Sequence, residues 1–492
     1  MTRRKAGALF AGALGLAALP SSLRAASSRF AAPRSFSWQG LVRQARDLAA
    51  REYSAPEKPA NLPTDFDAFG KLAYGPAGSL GGNVRLFPAA RGIAEHSVAL
   101  HLVDGGQARR LVETDGLFVG GASADPAGFR VMEAGQAGDW LAFLGASYFR
   151  ASGSRDQYGL SARGIAVDTG TGRPEEFPAF TAFWIEPVDN DHVRIFALLD
   201  GPSLAGAYAF DCRKNGAGVE QNVQASLFFR RDIERLGIAP ATSMYWYDQH
   251  DARSDWRPEI HDSDGLAIWS GTDEHIWRPL ENPDEARVTS FRADRVKGFG
   301  LMQRDQAFDH FQDDGAFYDR RPSLSIEPDD DWGPGRVMLY EMPTDNETQD
   351  NIAAFWVSDQ TARRGERRDI GYTLTWAFSA PSEVTNARCV DMFEGPAGRP
   401  GEPPTAGARK YVFDFAGPVL TGQGRDAGID AATDLPSDAL LSLSAYPVAG
   451  AEARWRVMLD VKLSAVPRPE MRLYLRRGTA ALSETVIKMV KP

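Results

Sequence analysis

Between Met244 and Trp356 the chain is dense in aromatic residues: Tyr245, Trp246, Tyr247, Trp256, Trp269, Trp277, Phe299, Phe308, Phe311, Phe317 and Tyr318. The same stretch is equally dense in carboxylates, with arginine and glutamine between them. Aromatic rings stack on the apolar C–H faces of sugar rings, while carboxylates and guanidinium groups hydrogen-bond the hydroxyl rims. A lone Trp on a strand is usually core, and a lone Asp is usually a turn or a solvated face. The joint density of both types is what points to a glycan cleft.

Three segments concentrate this chemistry: residues 257–265 (RPEIHDSDG), residues 302–318 with Arg304, Asp305, Asp313 and Tyr318, and residues 343–352 with Asp345, Glu347 and Asp350. Hydrolysis of a glycosidic bond needs one protonated carboxyl at the leaving oxygen and one carboxylate that activates water. Their surroundings must drive the two pKa values apart. Asp350 precedes the apolar run 352–356 (IAAFW), where partial burial would raise its pKa and suit it to be the acid. Asp262 lies between His261 and Ser263, a polar setting suited to a residue that stays ionised. On residue types and spacing alone, Asp264, Asp305, Asp313, Asp345 and Glu347 remain rivals.

Other chemistries lose their support. The seven histidines are scattered, and there is no His-Glu-x-x-His, Cys-x-x-Cys or phosphate-cradling glycine loop. No serine occupies a Gly-x-Ser-x-Gly elbow. No metal and no cofactor is expected. Arg3, Arg4, Lys5 and Arg24 belong to the leader described below. Removing those four from the 55 basic residues leaves 51 against 65 acidic ones, a net charge of −14. That balance argues against nucleic acid and anionic lipid as partners and is compatible with a neutral polymer. Cys212 and Cys389 are far apart and are expected to be buried singly as small hydrophobes.

The elements that must position these residues are mostly strands. Residues 192–199, 336–342 and 369–380 are short apolar or alternating runs bounded by turn residues, and Ile370, Tyr372, Leu374, Trp376 and Phe378 share one face. Helical spacing of Trp38, Leu41, Val42, Ala45, Leu48 and Ala49 predicts a helix between Ser37 and Arg51, and a short one is predicted over Arg231 to Leu236. Residues 394–408 (EGPAGRPGEPPTAGA) mark a boundary within a linker spanning 381–408. Beyond it, alternation at Tyr411, Phe413 and Phe415, at Trp455 to Leu463 and at Met471, Leu473 and Leu475 suits a small immunoglobulin-like sandwich over 409–492. The expected fold class is all-β, with a large β-sandwich over 28–380.

Residues 1–25 have the three parts of an export signal: basic Arg3-Arg4-Lys5, an uncharged run from Ala6 to Leu19, and the small Ala25 after a break at Pro20. The paired arginines suggest the twin-arginine route. The run is short for a membrane span, and no later stretch is apolar enough to be one.

At the cleft residues the sequence resembles the periplasmic glucan biosynthesis protein G/D family. The matching stretches run in order: 145–150 (GASYFR), 157–164 (QYGLSARG), 176–178 (EFP), 183–186 (FWIE), 236–240 (LGIAP), 257–266 (RPEIHDSDGL), 277–280 (WRPL), 298–303 (GFGLMQ), 321–323 (RPS), 327–328 (EP) and 350–352 (DNI). The sequence departs from the family pattern at Ser325-Ile326 and at Asp273-Glu274-His275. The resemblance implies a galactose-mutarotase-like sandwich followed by the immunoglobulin-like one, a periplasmic location, and a part in making glucans with a β-1,2-linked backbone. It implies an inverting β-1,2-glucan hydrolase or transglycosylase, with the acid at Asp350, the base at Asp262 and a substrate-contacting Tyr318. Trp246, Asp264, Arg304 and Trp277 are further candidate substrate contacts. A non-catalytic glucan-binding factor is the alternative, and a membrane glucan synthase is a candidate partner. The twin-arginine-like start points to the D members. If Arg3 and Arg4 direct export, changing both to Lys strands the precursor in the cytoplasm, as cell fractionation would show.

Overall fold

The computed structural model describes residues 29–56, 73–74, 79–89, 95–114, 116–119, 125–135, 138–249, 255–378 and 386–490. The export signal lies outside them. Among the described residues the chain is almost entirely β, built around a 16-stranded and a 10-stranded sheet that face each other, with a separate four-stranded sheet near the C-terminus. Alternation sets the layers. Each inward residue of a strand meets the opposite sheet, so the large sheet contributes Phe180, Phe183 and Phe210 and the smaller one Phe129, Phe143 and Phe149. Phe129 and Phe183 meet edge-to-face at 5.2 Å, and Phe143 and Phe210 at 5.0 Å. These ring pairs hold two sheets whose one-sided apolar faces would otherwise be wet.

The outer face of the large sheet is covered locally by the helix Trp38–Ala49. The Ser37 hydroxyl caps it by accepting the Gly40 N–H. Its apolar stripe buries Leu41 and Ala45 against Trp184, Leu198 and Phe228. The predicted helix over Arg231 to Leu236 is not formed. Ile233 instead bridges Ala362, the Arg235 N–H donates to the Asp168 carboxylate, and Leu236 opens the strand Leu236–Ser243. Its backbone groups are taken by neighbours outside the segment, so no intrahelical ladder can close.

The three predicted strand runs are present as His192–Asp200, Gly335–Glu341 and Arg367–Ala377. Ile370, Tyr372, Leu374 and Trp376 are buried together. Phe378 falls beyond the strand and lines a cavity described below.

The C-terminal part has its own core of Tyr411, Phe413, Phe415, Trp455, Val457, Leu459, Met471 and Leu473, among others. The segment read as a linker, 381–408, carries a strand, Arg388–Pro396, which pairs antiparallel with Ala408–Ala416 in the four-stranded sheet. Cys389 and Met392 pack on the C-terminal core, with a register shift between Cys389 and Asp391 bringing both to the same side. Facing that sheet are Ile429–Thr433, Glu470–Arg477 and Thr485–Met489, which do not form a separate sheet. Thr485–Met489 pairs in parallel with His275–Pro279, extending the large sheet without a break. Trp277 and Met302 of the large sandwich are members of the C-terminal core. A single main-chain ladder therefore joins the two sandwiches. Trp277→Ala should cost about 3–5 kcal/mol, and urea unfolding followed by circular dichroism and by fluorescence should show one coincident transition rather than two.

Candidate functional site

Asp262 directly follows the strand Ile260–His261, half of a short ribbon with Tyr245–Tyr247. Its N–H donates to the Met244 carbonyl at 2.8 Å. Its buried carboxylate forms an ion pair with the Arg321 guanidinium. Asp350 stands two residues before the strand Ile352–Ser358. One clamp fixes both segments. Asn351 is fully buried, accepts the Tyr245 N–H at 2.8 Å, and donates to the carbonyls of Tyr245 at 3.0 Å and Met342 at 2.9 Å. The residue next to Asp350 is thus tied by two hydrogen bonds to the ribbon that leads into Asp262 and by a third to Met342.

The Asp350 carboxyl opens to solvent on one side, yet sits deep among protein atoms. Desolvation first, and then the negative charge of Asp262, push its pKa up to about 6. Arg163, Arg150 and a hydrogen bond from Thr242 act in the opposite direction without cancelling the rise. Thr242 in turn is 2.5 Å from the Ser161 hydroxyl. Burial first, and then the charge of Asp350, raise the pKa of the Tyr148 phenol against the opposing effects of Arg150 and Ser161. Asp350 is thus a carboxyl of raised pKa beside Asp262, which is ion-paired with Arg321.

Tyr318 opens a single 3-10 turn, Tyr318–Arg320. It follows Phe317 at φ 51°, a left-handed conformation that is costly for a bulky side chain. The Tyr318 hydroxyl donates to Glu347 at 2.5 Å, and Arg321 lies 3.9 Å from its ring centre. Burial raises the Tyr318 pKa, with the Glu347 hydrogen bond and the charge of Asp262 adding to it. Burial would raise Glu347 as well, but hydrogen bonds from Arg257 and Tyr318 outweigh it and the pKa falls. Arg257 binds Asp313 and Glu347, each at 2.8 Å. Trp246, half-buried, packs in the same small cluster as Phe311 and Tyr318.

Asp350, Asp262, Tyr318 and Trp246 are thus brought together. Asp264, Arg304 and Trp277 are not: they line a cavity of about 610 Å³ between the two sandwiches. Asp264 accepts the Arg304 and Asp305 N–H groups at 2.9 and 2.8 Å, and Arg304 is clamped by Glu484 at 2.7 and 3.0 Å. The Arg304 guanidinium covers the Trp277 ring at 3.6 Å, and Trp277 is only 4% exposed. Both arrangements withhold Trp277 from a ligand and make it a packing residue. The cavity and the Asp262 ribbon share a wall through Gln303. Its amide donates to the carbonyls of His261 at 3.0 Å and Tyr318 at 3.2 Å, and its oxygen meets His261 Nδ1 at 3.0 Å. Burial would lower the His261 pKa, but Glu259 at 2.8 Å overrides it and holds the ring protonated, with a pKa of about 9.

Among the described residues, one group with metal-ligand character, Glu259, Asp305 and His310, has its ligand atoms within 4.8 Å of one another. Its members are already engaged: His310 with Asp305 at 2.5 Å and Glu259 with His261. Residue types and spacing did not single out Arg321, Thr242, Ser161, Tyr148 or Gln303. Arg150, Arg163, Gln303, Arg321 and Asn351 do fall within the stretches that carry the family resemblance.

Two opposed sheets define a large all-β protein, and its cleft gathers carboxylates and aromatic residues. The chain matches the family model described as periplasmic glucan biosynthesis protein, MdoG, over residues 36–489, and it belongs to that family. Glucans biosynthesis protein D 2 of Ralstonia nicotianae is 39% identical over 96% of this chain and 94% of its own length. Glucans biosynthesis protein D of Stenotrophomonas maltophilia is 38% identical over 98% and 95%. The probable glucans biosynthesis protein D of Shewanella oneidensis is 42% identical over 79% and 75%. Among solved structures, a galactose mutarotase related enzyme from Lactobacillus acidophilus aligns at 9% identity with a TM-score of 0.23, over 51% of this chain and 94% of that one. The all-β assignment rests on the sheets themselves. No described helix is long and apolar enough to cross a membrane.

The raised pKa of Asp350 makes a stability prediction. Its folded value lies above the unfolded one of about 3.9, so its contribution is fully present below that pH and is lost as pH rises through about 6. Asp350→Asn should therefore melt at a higher temperature than wild type at pH 8. The gain should shrink to nothing near pH 3.5, as a calorimetric pH series would measure.

Proposed function

We propose that the protein acts in the periplasm on the β-1,2-linked backbone of periplasmic glucans, as an inverting glucanase or transglycosylase. The observation that carries this reading is the pair itself. Two carboxyls are close enough for the charge of one to raise the other, and their environments are opposite. Asp350, deep among protein atoms but open to solvent on one side and without an ion pair, has the raised pKa suited to an acid, while Asp262, paired with Arg321, is placed as the base. In this reading Asp350 donates its proton to the leaving glycosidic oxygen. Asp262 takes the proton from the attacking water, directly or through an intervening hydroxyl, and inversion follows because water attacks the opposite face of the sugar.

The Arg321 ion pair orients the Asp262 carboxylate. It also keeps the carboxylate from drifting toward Asp350. Tyr318, whose phenol stays protonated, donates to Glu347 and packs in one cluster with Trp246. The names of the relatives, glucans biosynthesis protein D, support glucan as the polymer. The export signal supports the compartment.

Asp350→Asn and Asp262→Asn are expected to fold and to lose turnover of linear β-1,2-glucan by about a hundredfold or more. Tyr318→Phe should lose less, because no titrating group is removed. Wild-type kcat should fall as pH rises through about 6, following deprotonation of Asp350. Product sizing combined with the anomeric signal of the first-formed product tests both the reaction and its stereochemistry. Tight glucan binding by wild type with no bond cleavage would instead favour a binding factor.

A further inference from the structure

The cavity between the two sandwiches is not used by the Asp350–Asp262 pair. We infer that it is a second saccharide site, which takes glucosyl residues between the large sandwich and the strand Arg388–Pro396. Its volume of about 610 Å³ lies within the range of small-molecule pockets. Its polar lining is rich but electrically settled. His261 is paired with Glu259, His310 with Asp305, and Arg304 with Glu484. Each of these three already has its carboxylate, and Arg388, the fourth cationic side chain of the lining, feels Glu484 without an ion pair, so a neutral polyhydroxyl ligand can bind without breaking any internal pair.

Hydrogen-bonding capacity nevertheless remains. Asp264 Oδ1 is buried at the cavity with no hydrogen-bond partner, while Oδ2 takes two backbone N–H groups. A sugar hydroxyl is the donor that this oxygen lacks. The opposite wall is apolar and aromatic. Phe378 lines it from the large sandwich, and Phe393 and Val390, 43% and 49% exposed, stand on the strand Arg388–Pro396. A carboxylate-lined floor facing an exposed aromatic wall gives a pyranose ring both the contacts it needs: hydroxyl partners on one side and a C–H platform on the other.

This inference rests on the glucan reading of the protein, but the two fail separately. The test is calorimetric titration of the whole chain carrying Asp350→Asn with β-1,2-linked glucobiose, alongside a turnover assay of the wild type. Two classes of site are expected. Asp305→Asn should weaken one class at least tenfold and leave the other. Val390→Trp, at an exposed position that tolerates a larger side chain, should plug the mouth and abolish that same class without changing the melting temperature. A single class of site, two classes both indifferent to Val390→Trp and Asp305→Asn, or saturable uptake of Mn²⁺ or Ca²⁺ without a second sugar class would overturn the inference. Absence of turnover by wild type, with the second class intact, would remove the catalytic reading and leave this one standing.

Discussion

The repulsion between the Asp262 and Asp350 carboxyls is what the surrounding structure has to offset. Two carboxylates left in water would move apart or stay solvated; here both are held by backbone. Asn351 makes three buried hydrogen bonds to the ribbon segment and to Met342, and Gln303 joins the His261 and Tyr318 carbonyls from the other side. Neither amide bears charge, so each can be buried fully once its donors and acceptors are satisfied. Arg321 pairs with Asp262, while Asp350, on which Arg163 and Arg150 act without an ion pair, has its pKa raised by desolvation and by the charge of Asp262.

The sandwich makes this possible because its interior is settled without the site. Stacked and edge-on phenylalanines close the space between the sheets, and the cleft residues are carried on connections and strand ends outside that core. The strain at Phe317 and the buried polar clamps are affordable only on such a frame. The C-terminal sandwich is part of the frame as well. Its strand Thr485–Met489 continues the large sheet, and Glu484, just before it, holds Arg304 and the Cys389 N–H at once. A buried network of Arg278, Glu341, Arg287 and Glu281 extends to Lys488 on the same strand. Breaking one member would leave an uncompensated charge, so the network specifies how the two sandwiches meet more than it adds stability.

Much of this was legible in the order of residues. Alternation identified the strands Arg367–Ala377 and Arg454–Lys462, and helical spacing identified the helix Trp38–Ala49. These features are local: period and composition decide them within a few residues. Asp350 was readable as a carboxyl of raised pKa because the apolar run beside it is local too. The paired sequence stretches carried the family, since so many matches in one order leave little room for another chain.

What only the tertiary structure decided is partnership. Nothing in the spacing of Asp262 and Arg321, 59 residues apart, says that they form an ion pair. Nothing distinguishes Asp262 from Asp264, two residues on, although the connection between the strands Ile260–His261 and Gly265–Ser270 leaves one beside Asp350 and the other at the interdomain cavity. Trp277 reads as a sugar platform in composition and becomes core because Arg304 and the C-terminal sandwich cover it. The Pro/Gly-rich segment reads as a linker and contributes a strand because a neighbouring edge, Ala408–Ala416, offers it a ladder. Burial, and with it the protonation state of a carboxyl, belongs to the packed whole. A sequence fixes which groups can titrate, while the distance to the nearest charge and to water sets where they do.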